Sequence, residues 1–267
     1  MIRRFVKKYC APKTDIPPGV SLGVSVFAAS LVAGGWCLLT YGGLMPTDFL
    51  PPPHKVFVAG ANSLADGSLL IHMTASVKVI FTGFALSSVL AVPLGILMGS
   101  FRIIQAAIEP IVNFVRYLPV TAMIPLLILW IGIGFEEKVA VIFIGTFFQQ
   151  IVLIADVSAQ VSRDLVNVSY TLGANRRQVV TRVLVPATLP GVMDTLRVTM
   201  GWAWTYLIVA ELVAANSGLG YMSLQALRGL RVDIIFLAIL VIGFLGLCTD
   251  GCFRLMRQTF LPWARDL

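Results

Sequence analysis

Charge is scarce in this chain. Only 12% of its 267 residues are Asp, Glu, Lys or Arg, against roughly 25% in a soluble domain. Length alone would allow one or two soluble domains, but this composition argues against them. No G-x-x-x-x-G-K-[ST] phosphate loop occurs, so the chain carries no nucleotide site of that kind. His54 and His72 are the only histidines, poor support for a His-based metal centre or triad. The cysteines, Cys10, Cys37, Cys248 and Cys252, form no C-x-x-C. Cys248 and Cys252 share a helix face and read as ordinary buried thiols. Low-complexity runs and strong internal repeats are missing as well. Gly218-Leu219-Gly220 is a lone G-x-G that signals a turn and little more.

What is present is apolar surface. Hydrophobic residues make up 58% of the chain, and mean hydropathy is +0.89. At about 1.5 Å per residue, six stretches can cross a bilayer: 20–41, 71–100, 103–134, 139–159, 188–210 and 234–256. The third is too long for one straight crossing. Pro110, Pro119 and Pro125 interrupt it, so it reads as a single broken crossing. The expectation is an all-α polytopic membrane protein with six transmembrane helices. Residues 1–19 form a tail and residues 20–267 the membrane domain.

The net charge of +7 then reports sidedness rather than nucleic-acid binding. Arg3, Arg4, Lys7, Lys8, Lys13, Arg102, Arg163, Arg176, Arg177, Arg182, Arg254, Arg257 and Arg265 all fall on one face of the six-span arrangement. Lys55, Lys138, Arg228 and Arg231 fall on the other. The positive-inside rule makes the first face cytoplasmic, with both termini. The first apolar run is 22 residues, begins late and lacks a clear small-x-small cleavage site. It reads as a retained anchor rather than a signal peptide. On the outer face, Phe49-Leu50-Pro51-Pro52-Pro53 is a stiff extended turn, followed by a short surface helix near Lys55 to Asp66. Residues 216–233 form the other outer segment.

Residues 160–186 are polar and charged between apolar neighbours. Ser162 is suited to cap a helix, with Asp164 in its first turn. Leu165, Val168 and Leu172 lie on one face at i, i+3 and i+7. Gly173 can close the helix in the left-handed conformation. A second helix, about Asn175 to Leu184, precedes the element that Pro186 starts. A plain solvated connector is the alternative, but it needs no apolar stripe.

The glycine and proline spacing of this segment resembles the cytoplasmic EAA loop of ABC-importer permeases. In that alignment Asn167-Val168-Ser169 stands where Glu-Ala-Ala is usual, followed by Gly173 and Val183-Leu184-Val185-Pro186. Leu172-Gly173-Ala174, Pro186-Ala187, Leu189-Pro190 and Leu196-Arg197 are similar to the nitrate/sulfonate/taurine/bicarbonate subgroup. So are the Phe49–Pro53 turn, Pro93-Leu94-Gly95 with Gly99, Ile124-Pro125-Leu126, Trp130 with Gly132-Ile133-Gly134, Ala210-Glu211-Leu212 and Gly218-Leu219-Gly220. The resemblance covers about residues 45–263. Phe147-Phe148-Gln149 departs from it, since Phe-Phe-Pro is frequent there.

The resemblance implies a type I ABC-importer permease fold and a transport subunit rather than an enzyme. Two permease subunits, the second an identical copy, would surround a central path. Two ATP-binding-cassette ATPase subunits would hold ATP and Mg, leaving this chain without a cofactor. A periplasmic or lipid-anchored binding protein would deliver a small solute, and nucleic acid has no part. The location implied is the bacterial inner (plasma) membrane. The subgroup's usual cargo is an oxyanion or sulfonate, such as nitrate, taurine, alkanesulfonate or bicarbonate. The ATPase-coupling residues would be Arg163, Asp164, Leu165, Asn167, Val168, Tyr170, Thr171, Leu172, Gly173, Ala174 and Arg176.

Polar groups inside the spans become path candidates, because a mid-bilayer charge costs about 2.5–3.5 kcal/mol on insertion scales and usually faces a cavity or partner. They are Arg116, Tyr117, Pro119, Met123, Gln149, Gln150, Trp202, Tyr206 and Glu211. Arg116 either contacts substrate or forms a structural pair, with Glu211 as a candidate partner. The aromatics, Trp204 included, serve packing or the path. Gly95 and Gly99 make a G-x-x-x-G suited to helix packing. Lys78 and Asp156 can snorkel from span ends. An ion-gradient-driven secondary transporter would show paired mid-span acids and repeated halves. A non-transporting scaffold would need no interrupted span.

Overall fold

The structure, a computed structural model, describes residues 16–213 and 215–264. The basic residues Arg3, Arg4, Lys7, Lys8 and Lys13, together with Cys10 and Arg265, lie outside the described residues. The chain divides into two compact units, Met1–Ala59 and Gly60–Leu267.

In the first unit, α1 (Pro18–Tyr41) opens with proline at its first position, where the missing N–H is not needed. None of its apolar window is buried, as befits a surface that lipid can cover. The proline-rich turn folds back on the end of α1: the Trp36 indole N–H donates to the Pro51 carbonyl at 3.0 Å. The Tyr41 hydroxyl lies 2.7 Å from His54 Nδ1. Pro53 then starts α2 (Pro53–Ala65).

The second unit is a helical bundle. Its elements are α3 (Ser68–Ser100), α4 (Arg102–Arg116), α5 (Val120–Ile131), α6 (Phe135–Ala159), α7 (Arg163–Thr171), α8 (Arg176–Val179), a π turn (Val180–Leu184), α9 (Val185–Val213), α10 (Leu219–Arg228) and α11 (Val232–Phe260). Lipid provides no hydrophobic drive between helices, so small residues and polar bonds must hold them. A Cβ on Gly83 would sit 2.8 Å from Ile142 Cβ, and one on Gly95 2.7 Å from Ile154 Cβ. Gly99 meets Ala155 and Ser158 in the same way. The G-x-x-x-G therefore does pack α3 on α6. Each added methyl would overpack the seam by about 1–3 kcal/mol.

Those pairings rise together along both helices, so α3 and α6 run parallel. The chain between them must return to the opposite end. That return is α4 and α5, which meet at 92°. The bent pair therefore runs the length of the bundle, and with the five other long apolar helices it makes six candidate spans among the described residues. Pro110 and Pro125 sit inside α4 and α5. Only Pro119 coincides with the break. α9 runs antiparallel to α6, with the Tyr206 ring over Gly145 and Val157 against Gly191. α11 runs antiparallel to α9 through Arg197–Asp250, Arg257–Asp194 at 3.0 Å and Trp204 Nε1 to Thr249 Oγ1 at 3.3 Å. Residues 160–184 and the end of α11 thus share one end of the bundle. The starts of α3 and α6, and all of α10, share the other.

Three expectations need correction. The helix after Asn175 does not stop before Pro186: residues 176–213 form one continuous helix. Proline cannot donate to the carbonyl four residues back, and the wider π turn shifts the bonding, with Val185 N–H reaching Val180 O. Cys248 and Cys252 are exposed, not buried. α11 buries only Leu237, Ala238 and Thr249, so its thiols fall on the outer face. The Gly218–Gly220 stretch is more than a turn, because it carries the start of α10.

Candidate functional site

The segment expected to couple is built from local bonds. Ser162 Oγ accepts the Asp164 N–H at 3.2 Å, which starts α7 as expected. At its end Gly173 has φ +87°. Its N–H bonds Tyr170 O at 2.9 Å, and Ala174 N–H bonds Ser169 O at 3.0 Å. This is a Schellman closure with glycine in the left-handed position. Two residues on, Asn175 and Gln178 form a reciprocal capping box, at 2.8 and 2.9 Å. The exposed segment is thus held at the first turn by backbone bonds and at the second by the Asn175 and Gln178 side chains.

No residue of α7 is buried. Leu165 is 46% exposed, Val168 55% and Leu172 82%, so the apolar stripe is free to dock. Ser169 and Thr171 donate back to Leu165 O and Asn167 O, and Ala174 is half-buried. The opposite face of the segment looks onto a cavity of about 560 Å³. Arg163, Asn167, Tyr170 and Arg176 line it together with Phe101 and Arg102 from the α3–α4 corner. The Arg176 guanidinium lies 5.6 Å from the centroid of the Phe101 ring.

The bend between α4 and α5 makes a second cavity, of about 300 Å³. Arg116, Tyr117, Pro119, Gln149 and Tyr206 line it, with Gly145 and Phe148. Gly145 lies about 15 Å from the start of α6 at 1.5 Å per residue, near the middle of that helix. Arg116 Nη2 donates to Tyr117 Oη at 3.0 Å, and its guanidinium carbon lies 4.8 Å from the Tyr117 ring centroid. Arg116 Nε is buried with no hydrogen-bond partner.

The other path candidates lie elsewhere. Gln149 and Gln150 are adjacent and so point about 100° apart on the helix. Gln150 is fully buried and ties three helices. It accepts from Ser87 Oγ at 2.9 Å and donates to Ser88 Oγ at 3.2 Å and Thr199 Oγ1 at 3.3 Å. The alternative Arg116–Glu211 pair does not form. Glu211 is fully buried and accepts from Ser76 Oγ at 2.7 Å and Gly220 N–H at 2.8 Å. A Cβ on Gly218 would collide with that carboxylate. Met123 is half-buried and Trp202 partly exposed, and neither lines the cavity. Trp204 belongs to the core of Ile80, Ile142 and Leu207.

Sequence reasoning missed the anchor of α10. Leu219 N–H donates to Ser76 Oγ at 2.9 Å and Gly218 N–H to His72 Nδ1 at 3.2 Å. The available signal was His72 and Ser76, four residues apart and therefore on one face of α3.

Residues 91–260 match the family model described as binding-protein-dependent transport system inner membrane component. A probable ABC transporter permease protein of Brucella melitensis is 36% identical over 242 residues, 91% of this chain and 97% of that protein. The taurine transport system permease protein of Escherichia coli is 30% identical over 253 residues, 93% and 91% of the two chains. The MetNI methionine ABC transporter, solved in inward-facing conformations, superposes with a TM-score of 0.59 at 20% identity. That match covers 70% of this chain and 94% of that one, and it shows the shared fold.

Proposed function

Since the chain belongs to the binding-protein-dependent transport system inner membrane components, it is a multi-pass permease subunit of an ABC importer and not an enzyme, and we propose that its cargo is a small oxyanion or sulfonate, such as nitrate, taurine, alkanesulfonate or bicarbonate. ATP hydrolysis belongs to separate ATPase subunits, and solute delivery to a substrate-binding protein. The secondary-transporter and scaffold readings fall with this membership. In the proposed assembly two ATPase subunits, which hold ATP and Mg, serve two identical permease copies. This chain holds no cofactor.

The observation that carries the cargo reading is Arg116. Its charge stands at the mid-depth cavity with Nε unbonded, in a chain similar to a taurine permease. A guanidinium stays charged and can grip an oxyanion with two bonds. Sidedness follows from charge. Arg102, Arg163, Arg176, Arg177, Arg182, Arg254 and Arg257 lie at the loop end, so that end faces the cytoplasm with both termini. The acids paired with Arg254 and Arg257 do not weaken this, because the rule counts Lys and Arg.

Coupling has a short route in this reading. The exposed stripe of α7 docks on the ATPase, and Arg163 to Ala174 move with it. The Arg176–Phe101 contact passes that movement to the α3–α4 corner. From there α4 runs to Arg116 at the cavity. The test is reconstitution with the cognate ATPase and binding protein in proteoliposomes. ATP-dependent uptake of taurine or another oxyanion is expected, and a complex that takes up only neutral or cationic solutes would overturn the cargo.

A further inference from the structure

At the end of the bundle opposite the coupling segment, a cavity of about 430 Å³ opens between α3, the start of α6 and the stretch leading into α10. Lys78 and Lys138 both line it, with Gly134, Asn216 and Ser217. Among the described residues no acidic side chain lines it. Lys138 is the unusual group. It is only 6% exposed, yet among the described residues it forms no ion pair. Its acidic neighbours Glu137 and Glu211 attract it through space without forming an ion pair at contact distance. Glu211 is bonded to Ser76 and Gly220, and Glu137 is fully buried with neither oxygen hydrogen-bonded.

A largely buried lysine with no direct ion pair is expensive. Here it opens onto the cavity. The first turn of α6 borders the same space, and the unbonded N–H groups of a helix start add partial positive charge. The Ser217 hydroxyl and the Asn216 amide supply neutral donors. Glu136 and Glu137 stand in that first turn of α6 but not in the lining, where two lysines and a helix start make a space suited to a small anion.

We infer that this cavity is an anion-receiving site in which Lys78 and Lys138 hold the sulfonate or oxyanion group of the cargo before it enters the path. The inference rests on the proposed anionic cargo. It also gives that cargo a staged route. From Lys138 to Gly145 is two turns of α6, about 10 Å, and Gly145 borders the Arg116 cavity. One cationic site therefore leads to the next.

The test uses the assembled permease–ATPase complex and two probes of similar shape, methanesulfonate and the neutral dimethyl sulfone. Methanesulfonate is expected to raise the Tm of the complex saturably, and dimethyl sulfone is not. Lys138→Met and Lys78→Gln should each weaken apparent methanesulfonate affinity about tenfold or more, the scale of a lost charge-assisted bond. Lys138→Arg should retain it. Equal responses to both probes, no saturable shift, or unchanged affinity in the two neutral variants would overturn the site. If Lys138→Met fails to assemble, Lys78→Gln decides alone, because that side chain is exposed. Taurine uptake separates the two ideas. Uptake with lysine-independent methanesulfonate binding removes the site and keeps the cargo. Lysine-dependent binding without uptake of any anion keeps the site and removes the cargo.

Discussion

Gly173→Val tests the coupling segment most directly. Gly173 sits at φ +87°, where an L-residue costs about 1–2 kcal/mol, and a β-branched one lies at or above the top of that range. No atom lies within 4 Å of the position a Cβ would take, so within this chain the whole cost is backbone strain. The segment can relieve it only by opening the Schellman bonds to Tyr170 O and Ser169 O, at about 0.5–1.5 kcal/mol each. Either route costs about 1–3 kcal/mol, or roughly 5- to 160-fold in population. Nothing buried resists this, because α7 has nine residues and none is buried. A helix that short is marginal on its own. The fraction of molecules presenting Leu165, Val168 and Leu172 together should fall by that factor. Substrate-stimulated ATP hydrolysis by the reconstituted complex should fall with it, with normal membrane insertion and reduced ATPase copurification. A graded series separates causes: Asn, which tolerates the left-handed region, should stay near wild type, Ala should be intermediate and Val lowest. Wild-type coupling in Gly173→Val would refute the reasoning. An equal loss in Asn and Val would shift the cause to bulk at the ATPase surface.

Other expectations follow from the same geometry. Gln150→Leu removes three interhelical bonds, and at about 0.6 kcal/mol each in a membrane should destabilise the bundle by about 2 kcal/mol. Gln149→Leu should leave thermal stability unchanged, and equal Tm losses in the two variants would contradict the split between them. Arg116→Gln should reduce anion uptake while assembly and basal ATP hydrolysis persist. Unchanged uptake kinetics in an assembled complex would remove Arg116 from the mechanism. With the native cysteines replaced by serine, a cysteine at Asn175 should react with an impermeant maleimide only from the cytoplasm, and one at Arg228 only from outside. The reverse pattern would invert the topology.

The helix and caps of residues 162–174 were legible in the sequence because their determinants are near neighbours. Ser162 with Asp164, and Gly173 with Tyr170 and Ser169, need only a few residues of chain to find their bonds. The long apolar runs were legible for a similar reason, since hydropathy and 1.5 Å per residue are properties of the segment itself. Their ends moved by only a few residues, except where Pro186 was expected to interrupt and a π turn carried the helix past it. Membership in the permease family rested on the order of such local features.

What the tertiary structure decided depends on residues far apart in the chain. Proline alone marks a break but not its direction. The parallel packing of α3 on α6, through Gly83, Gly95 and Gly99, is what makes the bent α4–α5 pair a crossing. Composition places Arg116 and Glu211 both within the membrane, yet Ser76 and Gly220 occupy Glu211, and Arg116 turns to Tyr117. Gln149 and Gln150 are chemically identical, and one step of helical rotation puts one on a cavity and the other in a three-helix bond. Lys78 and Lys138 lie sixty residues apart, and they share a cavity only because α3 and α6 start at the same end of the bundle. The sequence by itself determined the segments and their caps, which are short-range matters of hydropathy and backbone bonding. Which segments touch, and which polar groups meet, was decided by packing, where a glycine's missing side chain sets the distance between two helices.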